Sequence, residues 1–282
     1  MSRRLRYAEP PPLAPGVYRR TLASVSTEVS ASLLALGTST SLPTLTGRVS
    51  AAEQATRASA ARLAAVTPPP DVRVEHADLV RAVTRLTAAL AEARDETETH
   101  EVCAAPAVVA LLQPSLAATR AAADALTAKG AAHGYRADIA LPPTPNAETR
   151  RLGDGAFVRQ GRLTGRGELT VDNGRGQDAV VTLVSAGRPA FSVYLRSGAV
   201  RTVDGIPDGA YAVYLTGGVD WDRRLRTFTR ACTFLRFDQP LRFTTSRTAS
   251  RIRWSRWRMT LQPVLGGTAR IRDVDPSRFP AP

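Results

Sequence analysis

Lysine is almost missing from this chain: Lys129 is the only one in 282 residues. Histidine occurs three times, cysteine twice, and aromatic residues make up 6 %. Each scarcity excludes something. His76, His100 and His133 are scattered, and none lies four residues from another histidine or from a cysteine. Neither zinc ligation nor general-base work is expected of them, and surface or capping positions are. Two cysteines far apart make no zinc site on their own. Cys103 and Cys232 are expected to be buried thiols. The alternative is an interdomain disulfide formed in an oxidising compartment, whose long loop would contribute roughly 4–5 kcal/mol if unstrained. No stretch of about 18 residues is continuously apolar, so no transmembrane helix is expected. The Gly-x-Ser-x-Gly elbow of serine hydrolases is missing. The glycine-rich Gln160–Gly167 lacks the Gly-Lys-Ser/Thr ending of a phosphate loop and leads into a strand pattern. Nothing calls for a cofactor or a metal.

What is present is arginine, unevenly placed. Residues 1–145 hold 15 basic and 13 acidic side chains, a balance of +2; residues 146–282 hold 23 and 12, a balance of +11. High alanine with arginine in place of lysine fits a GC-rich coding bias. The asymmetry is physical all the same, because a +11 half attracts anionic polymers, membrane surfaces or acidic proteins through its long-range field, and salt weakens that attraction. Hydrophobic residues at 43 % are enough for packed cores.

The N-terminal half reads as helical. Residues 1–20 are basic and proline-rich and are expected to form an extended arm. Arg3, Arg4 and Arg6 have the charge of a signal-peptide start, but Glu9 and four prolines follow where the apolar segment belongs. Either the protein stays inside the cell or a leader lies upstream. Leu22, Val25, Val29, Leu33 and Leu36 mark a first helix over 21–36. A second, Ala-rich helix is expected over about 45–66, ended by Pro68–Pro70. Leu79, Val83, Leu86 and Leu90 mark a third over 75–96. A fourth over about 105–129 carries Pro114, which should kink or divide it. Four such helices over 21–130 read as an antiparallel bundle. Residues 131–160 read as a proline-stiffened linker.

From 161 to 282 the pattern changes to period two. Val171–Gly174 ends in Asp-Asn-Gly, which favours a tight hairpin. Val180–Val184 is an apolar strand, Phe191, Val193 and Leu195 alternate with polar neighbours, and Tyr211, Val213 and Leu215 do the same after the Pro207–Gly209 turn. The reading is an antiparallel β-sandwich, giving a multi-domain α+β protein. Residues 251–261 are expected to bulge near Ser255, so that Ile252, Trp254, Trp257, Met259 and Leu261 all face the core. Arg251, Arg253 and Arg258 would then line the outer face.

The run Gly205-Ile-Pro-Asp-Gly-Ala-Tyr-Ala-Val213 resembles the hairpin of transthyretin-like and PEGA-like sandwich domains. More widely, GELTVDNG, VYLRSG, TVDGIPDGAYAVYLTGGVDWD and VDPSRFP, with the helical LAAVTPPPDVRVEHADLVRAVTRL, resemble uncharacterised actinobacterial proteins that join a helical bundle to a β-sandwich. Several of those look exported or lipoprotein-like. The resemblance implies an Ig- or transthyretin-like sandwich and a cell-envelope or extracellular location, and it brings no activity.

Three functions follow as expectations. The first is a non-catalytic binding protein of the envelope. Its sandwich binds an anionic polymer or acidic protein through Arg251, Arg253 and Arg258, with Tyr194 and Tyr214 on a second binding face and the helices as spacer or oligomerisation domain. The second is an intracellular nucleic-acid-binding protein using the same arginines with Trp254 and Trp257. The third is a hydrolase or Ca²⁺ site built on Asp204, Asp208, Asp220 and Asp222. Against that third reading, the same acids suit turn capping and ion pairs with Arg223 and Arg224.

Overall fold

The computed structural model describes residues 11–146, 148–262 and 270–282, and the chain divides into two compact units. One holds residues 1–40, 44–98 and 105–146; the other holds 41–43, 99–104 and 147–282. Helices α1 (Pro15–Leu36), α2 (Leu42–Ala64), α3 (Arg73–Glu98) and α4 (Ala105–Lys129) come first. Strands follow: β1 (Phe157–Arg159), β2 (Gly167–Asp172), β3 (Asp178–Ser185), β4 (Arg188–Leu195), β5 (Val200–Ile206), β6 (Gly209–Asp222) and β7 (Thr227–Phe237). They end with β8 (Leu241–Phe243), β9 (Thr245–Arg247), β10 (Ile252–Trp254), β11 (Arg256–Thr260) and β12 (Ile271–Asp273). The protein is therefore mixed α+β. Among the described residues no helix is long and apolar enough to cross a membrane.

In the helical unit, the apolar spacing turns into burial. Leu22, Val25, Val29, Leu33 and Leu36 of α1 are all buried, as are Leu79, Val83, Leu86 and Leu90 of α3. Polar ties join neighbours: Arg62 of α2 to Glu28 of α1, and Arg94 of α3 to the nearly buried Glu53 of α2 at 2.6 Å. Two sequence expectations fail here, and of the kink or division expected at Pro114 the division does not occur. The first helix starts at Pro15, where proline fits the first turn because its missing N–H would have no partner there; residues 15–20 are thus helix, and residues 1–10 of the expected arm lie outside the described residues. Pro114 does not divide α4, which runs unbroken. Pro114 and Ala110 are both exposed, so the carbonyl that loses its N–H faces solvent. His76 is buried, not on the surface. Its Nε2–H donates to the Leu63 carbonyl at 3.0 Å and its Nδ1 accepts from the Tyr18 hydroxyl at 3.0 Å, which fully satisfies a neutral ring. Burial pushes its pKa down in keeping with that neutral state.

The expected linker is no free spacer. Tyr135, Ala137 and Ile139 are buried in the helical unit, and Tyr135 meets Tyr18 edge-on at 5.0 Å. The Ala137 and Ala140 amides donate to the Thr127 and Ser30 hydroxyls. Residues 148–160 belong instead to the other unit.

That unit contains a seven-stranded sheet ordered β1-β4-β3-β6-β7-β12, with β8 also on β6. A three-stranded sheet is ordered β11-β2-β5, and β9 and β10 form a two-stranded ribbon. Pairing is antiparallel except between β11 and β2. One apolar core takes residues from both larger sheets: Leu169, Val171, Val203 and Met259 from the small one, and Val181, Leu183, Phe191, Val193, Val213, Leu215 and Phe237 from the large one. Burial of this many branched and aromatic side chains is the main stabilising term.

Two turns illustrate how local chemistry and topology divide the work. Ala186 and Gly187, with φ of 47° and 74°, join β3 to β4 in a two-residue hairpin whose geometry needs positive φ twice. Asp172-Asn173-Gly174 makes no hairpin, against expectation, because β2 and β3 lie in different sheets. Asn173 is fully buried, and its Nδ2 donates to the Gln177 and Arg196 carbonyls at 3.0 Å. A Cβ at Gly174 would fall 2.5 Å from the Gln262 side-chain amide, so a larger residue there displaces that side chain and the bond it accepts from the Gly174 amide.

Candidate anion-binding ribbon

The acidic residues come first, since they decide which arginines remain free. Asp178 and Asp220 are both more than nine-tenths buried. Arg151 Nε donates to Asp178 Oδ2 at 2.7 Å, and the Tyr194 hydroxyl and the Ser197 amide donate to the same carboxylate. Burial raises the Asp178 pKa, but these donors outweigh it and hold the carboxyl below its ordinary value. Asp220 takes the Arg150 guanidinium and the Arg150 amide at 2.9 Å and the Thr229 hydroxyl at 2.7 Å, with the same net direction. Asp222 accepts the Arg224 and Leu225 amides at 2.8 and 2.9 Å, so it does cap a turn. Its ion pair is with Arg150, not Arg223 or Arg224. Asp208 bonds Thr245 elsewhere, and Asp204 is exposed on β5. The four acids therefore do not converge, and no group of three or more potential ligands among the described residues could hold a metal ion.

Strands β10 and β11 were expected to be one bulged strand with five core-facing residues. The chain instead changes partners at Ser255: β10 pairs with β9, and β11 pairs in parallel with β2. Met259 and Leu261 are in the core, Ile252 and Trp254 are half-buried, and Trp257 is 41 % exposed. The physical reason is the change of sheet: alternation along β11 continues into the core only from Met259 onward.

This break separates the expected site residues. Arg258 lies on the solvent face of β11, 3.3 Å from Asp172, and its neighbour Arg256 pairs with Glu168 at 3.0 Å. Both charges are thus largely offset by β2. Tyr194 is fully buried and spent on Asp178, so it presents no binding face. Tyr214 is capped edge-on by Phe279 at 5.7 Å, with the Arg236 guanidinium over its ring. The two tyrosines are removed from the site.

Arg251 and Arg253 remain, and they gain Arg247. The ribbon puts Arg253 opposite Ser246 and Arg247 opposite Ile252. Thr248 and Arg251 close the tip: the Thr248 amide donates to the Arg251 carbonyl at 2.8 Å, and the Arg251 amide to the Thr248 hydroxyl at 3.1 Å. All residues from 246 to 251 are exposed. No carboxylate among the described residues lies within ion-pair distance of Arg247, Arg251 or Arg253. The base of the ribbon is held firmly. Asp208 accepts from the Thr245 amide and hydroxyl, both at 2.8 Å, and Thr244 and Ser255 exchange backbone and side-chain bonds. Trp254 Nε1 donates to Glu168 at 2.8 Å, and the Arg256 guanidinium lies 5.0 Å over its ring. Trp254 is therefore an anchor, with one ring face already covered.

The register puts Arg247 on the Ile252 face and Arg253 on the other, so the anchored ribbon carries guanidiniums on both sides, which suits the repeated phosphate, sulfate or carboxylate groups of an extended polymer. Arg247 lies outside the Arg/Trp stretch 251–258 that singles out Arg251, Arg253 and Arg258. A signal was available: from 239 to 272 the chain has no aspartate or glutamate, so Arg247, Arg251 and Arg253 have no acidic neighbour in sequence.

Cys103 and Cys232 are disulfide-bonded, which corrects the expectation of buried free thiols. Both belong to the sheet-containing unit, so the bridge is not interdomain. It fastens residues 99–104 to β7, where the Cys103 amide also donates to Thr229 and the Cys232 amide to His100. No protein-family model, curated protein or solved structure matches the chain.

Proposed function

We propose that the protein is a non-catalytic binding module of the cell envelope or extracellular space, which presents the Thr245–Trp254 ribbon to an anionic polymer. The single observation that carries this reading is the ribbon itself: three exposed arginines with no carboxylate partner among the described residues, on a base tied down by Asp208 and Ser255. The disulfide supports a location in an oxidising compartment. The core shared by the two larger sheets supports reading them as layers of an Ig- or transthyretin-like sandwich. The helix-to-helix ties support an antiparallel bundle acting as a spacer or oligomerisation element.

The test is binding of the full chain to dextran sulfate across a salt series. Replacing Arg247, Arg251 and Arg253 together by alanine is expected to abolish most retention and to reduce the salt slope by up to roughly 3, one released counterion per lost contact. Unchanged retention in the triple variant would remove the ribbon from the site.

A second reading, nucleic-acid binding, is favoured by the form of the ribbon, because a two-stranded ribbon fits the major groove of duplex DNA. Competition of a random-sequence duplex against dextran sulfate separates the two. Parity per unit charge supports the polymer reading, and a strong preference for the duplex supports DNA.

A further inference from the structure

We propose that the sheet-containing unit has a second binding site, distinct from the ribbon, for a small amphipathic anion: a ring system or medium acyl chain ending in a single carboxylate or sulfonate. The site is a cleft of about 350 Å³ with a floor of Val213, Phe237 and Met259 and walls of Leu241 and Trp257. Cavities of ~150 Å³ already take benzene, so this one has room for two fused rings or a chain of similar bulk.

Three observations point to a ligand. Trp257 is 41 % exposed, which leaves a large aromatic face in water. That ring is nevertheless held in place, because its Nε1 donates to the Arg242 carbonyl at 2.9 Å. An exposed yet anchored tryptophan over an apolar floor is a preorganised wall. Arg270 lines the same cleft, is exposed, and has no carboxylate within ion-pair distance among the described residues. Arg258 also borders it but is engaged with Asp172. One free guanidinium beside an apolar cavity selects one anionic head on an apolar body.

The inference is independent of the ribbon, and its test is arranged to keep the two apart. The probe is 1-anilinonaphthalene-8-sulfonate, titrated into the full chain in about 0.3 M salt, where long-range attraction to the ribbon is screened to a few ångströms. Saturable binding to one site is expected, with quenching of tryptophan emission. Trp257→Ala and Arg270→Glu are each expected to weaken binding at least tenfold while leaving far-ultraviolet circular dichroism unchanged, since both side chains are exposed. Arg251→Ala is expected to leave probe affinity unchanged. Absence of saturable binding, or equal affinity in the wild type and both cleft variants, would overturn the proposal. Retention on dextran sulfate should be unaffected by Trp257→Ala, so failure of one site does not imply failure of the other.

Discussion

Around Arg150 and Arg151, each guanidinium meets a carboxylate that is more than nine-tenths buried; along Thr245–Trp254, Arg247, Arg251 and Arg253 meet none among the described residues. Both regions are arginine-rich stretches of the same +11 half of the chain. In the first, arginine fastens the entering segment at 148–151 to Asp178 and Asp220, and the charge is consumed internally. In the second, the backbone is fastened and the charges are left over. Net charge alone does not distinguish these uses. The difference lies in where the acids are: β3 and β6 supply them to the first region, while the stretch from 239 to 272 contains none. Arg256 and Arg258 fall between the two classes, since their acids come from β2, across the sheet.

The largest effect is expected from the fastened region. Replacing Cys103 and Cys232 together by serine should destabilise the protein by about 2–5 kcal/mol, because the bridge closes a loop spanning 129 residues. Urea unfolding under non-reducing conditions measures this, and polyanion retention below the transition should persist. A loss of retention in the folded variant would mean that the two regions are not separable. Next, Asp178→Ala should cost about 2–3 kcal/mol. It strands the Tyr194 hydroxyl and Arg151 together, and the penalty is moderated by the 41 % exposure of the Arg151 side chain. A cost below ~0.5 kcal/mol would place Asp178 with the weak surface pairs instead.

The comparison also predicts a difference in acid. Asp178 and Asp220 have folded pKa values held below the unfolded carboxylate value of about 3.9. Their contribution to stability is therefore complete above that value and is lost as pH falls through it toward the folded pKa. His76 acts earlier. Its folded pKa is lowered, so stability begins to fall once pH drops below the unfolded histidine value of about 6.5. Retention on dextran sulfate rests on arginine and should be flat from pH 8 to pH 5. A parallel fall of retention and stability across that interval would refute the distinction. The smallest effect is expected from Arg258→Ala: under ~0.5 kcal/mol in stability and little change in retention, because its pair with Asp172 is exposed.

How much of this was readable beforehand depended on the range of the interaction involved. The apolar stripes of α1 and α3 and the alternation of Phe191–Leu195 and Tyr211–Leu215 predicted both the elements and the faces they bury. Arg251 and Arg253 lie on an exposed face, as the alternation of the strand predicts. The failures have a common origin. Asn173-Gly174 looked like a hairpin because its partners, Gln177, Arg196 and Gln262, are brought to it only by folding. Trp257 looked like a core residue because alternation cannot reveal that the chain changes sheets at Ser255. Tyr194 was placed on the correct face of its strand, but that face turned out to be buried.

Spacing and composition along the chain fix the division into a helical and a strand-rich half, the apolar stripes that line each core, and the location of the excess charge. Each of these rests on periodicity or composition, which are local properties. Folding alone settles which arginines stay without a carboxylate among the described residues, that Cys103 meets Cys232, that His76 is a satisfied core residue, and that Trp257 walls a cleft. Those outcomes depend on which distant side chain arrives within about 3 Å, and spacing along the chain carries no record of that.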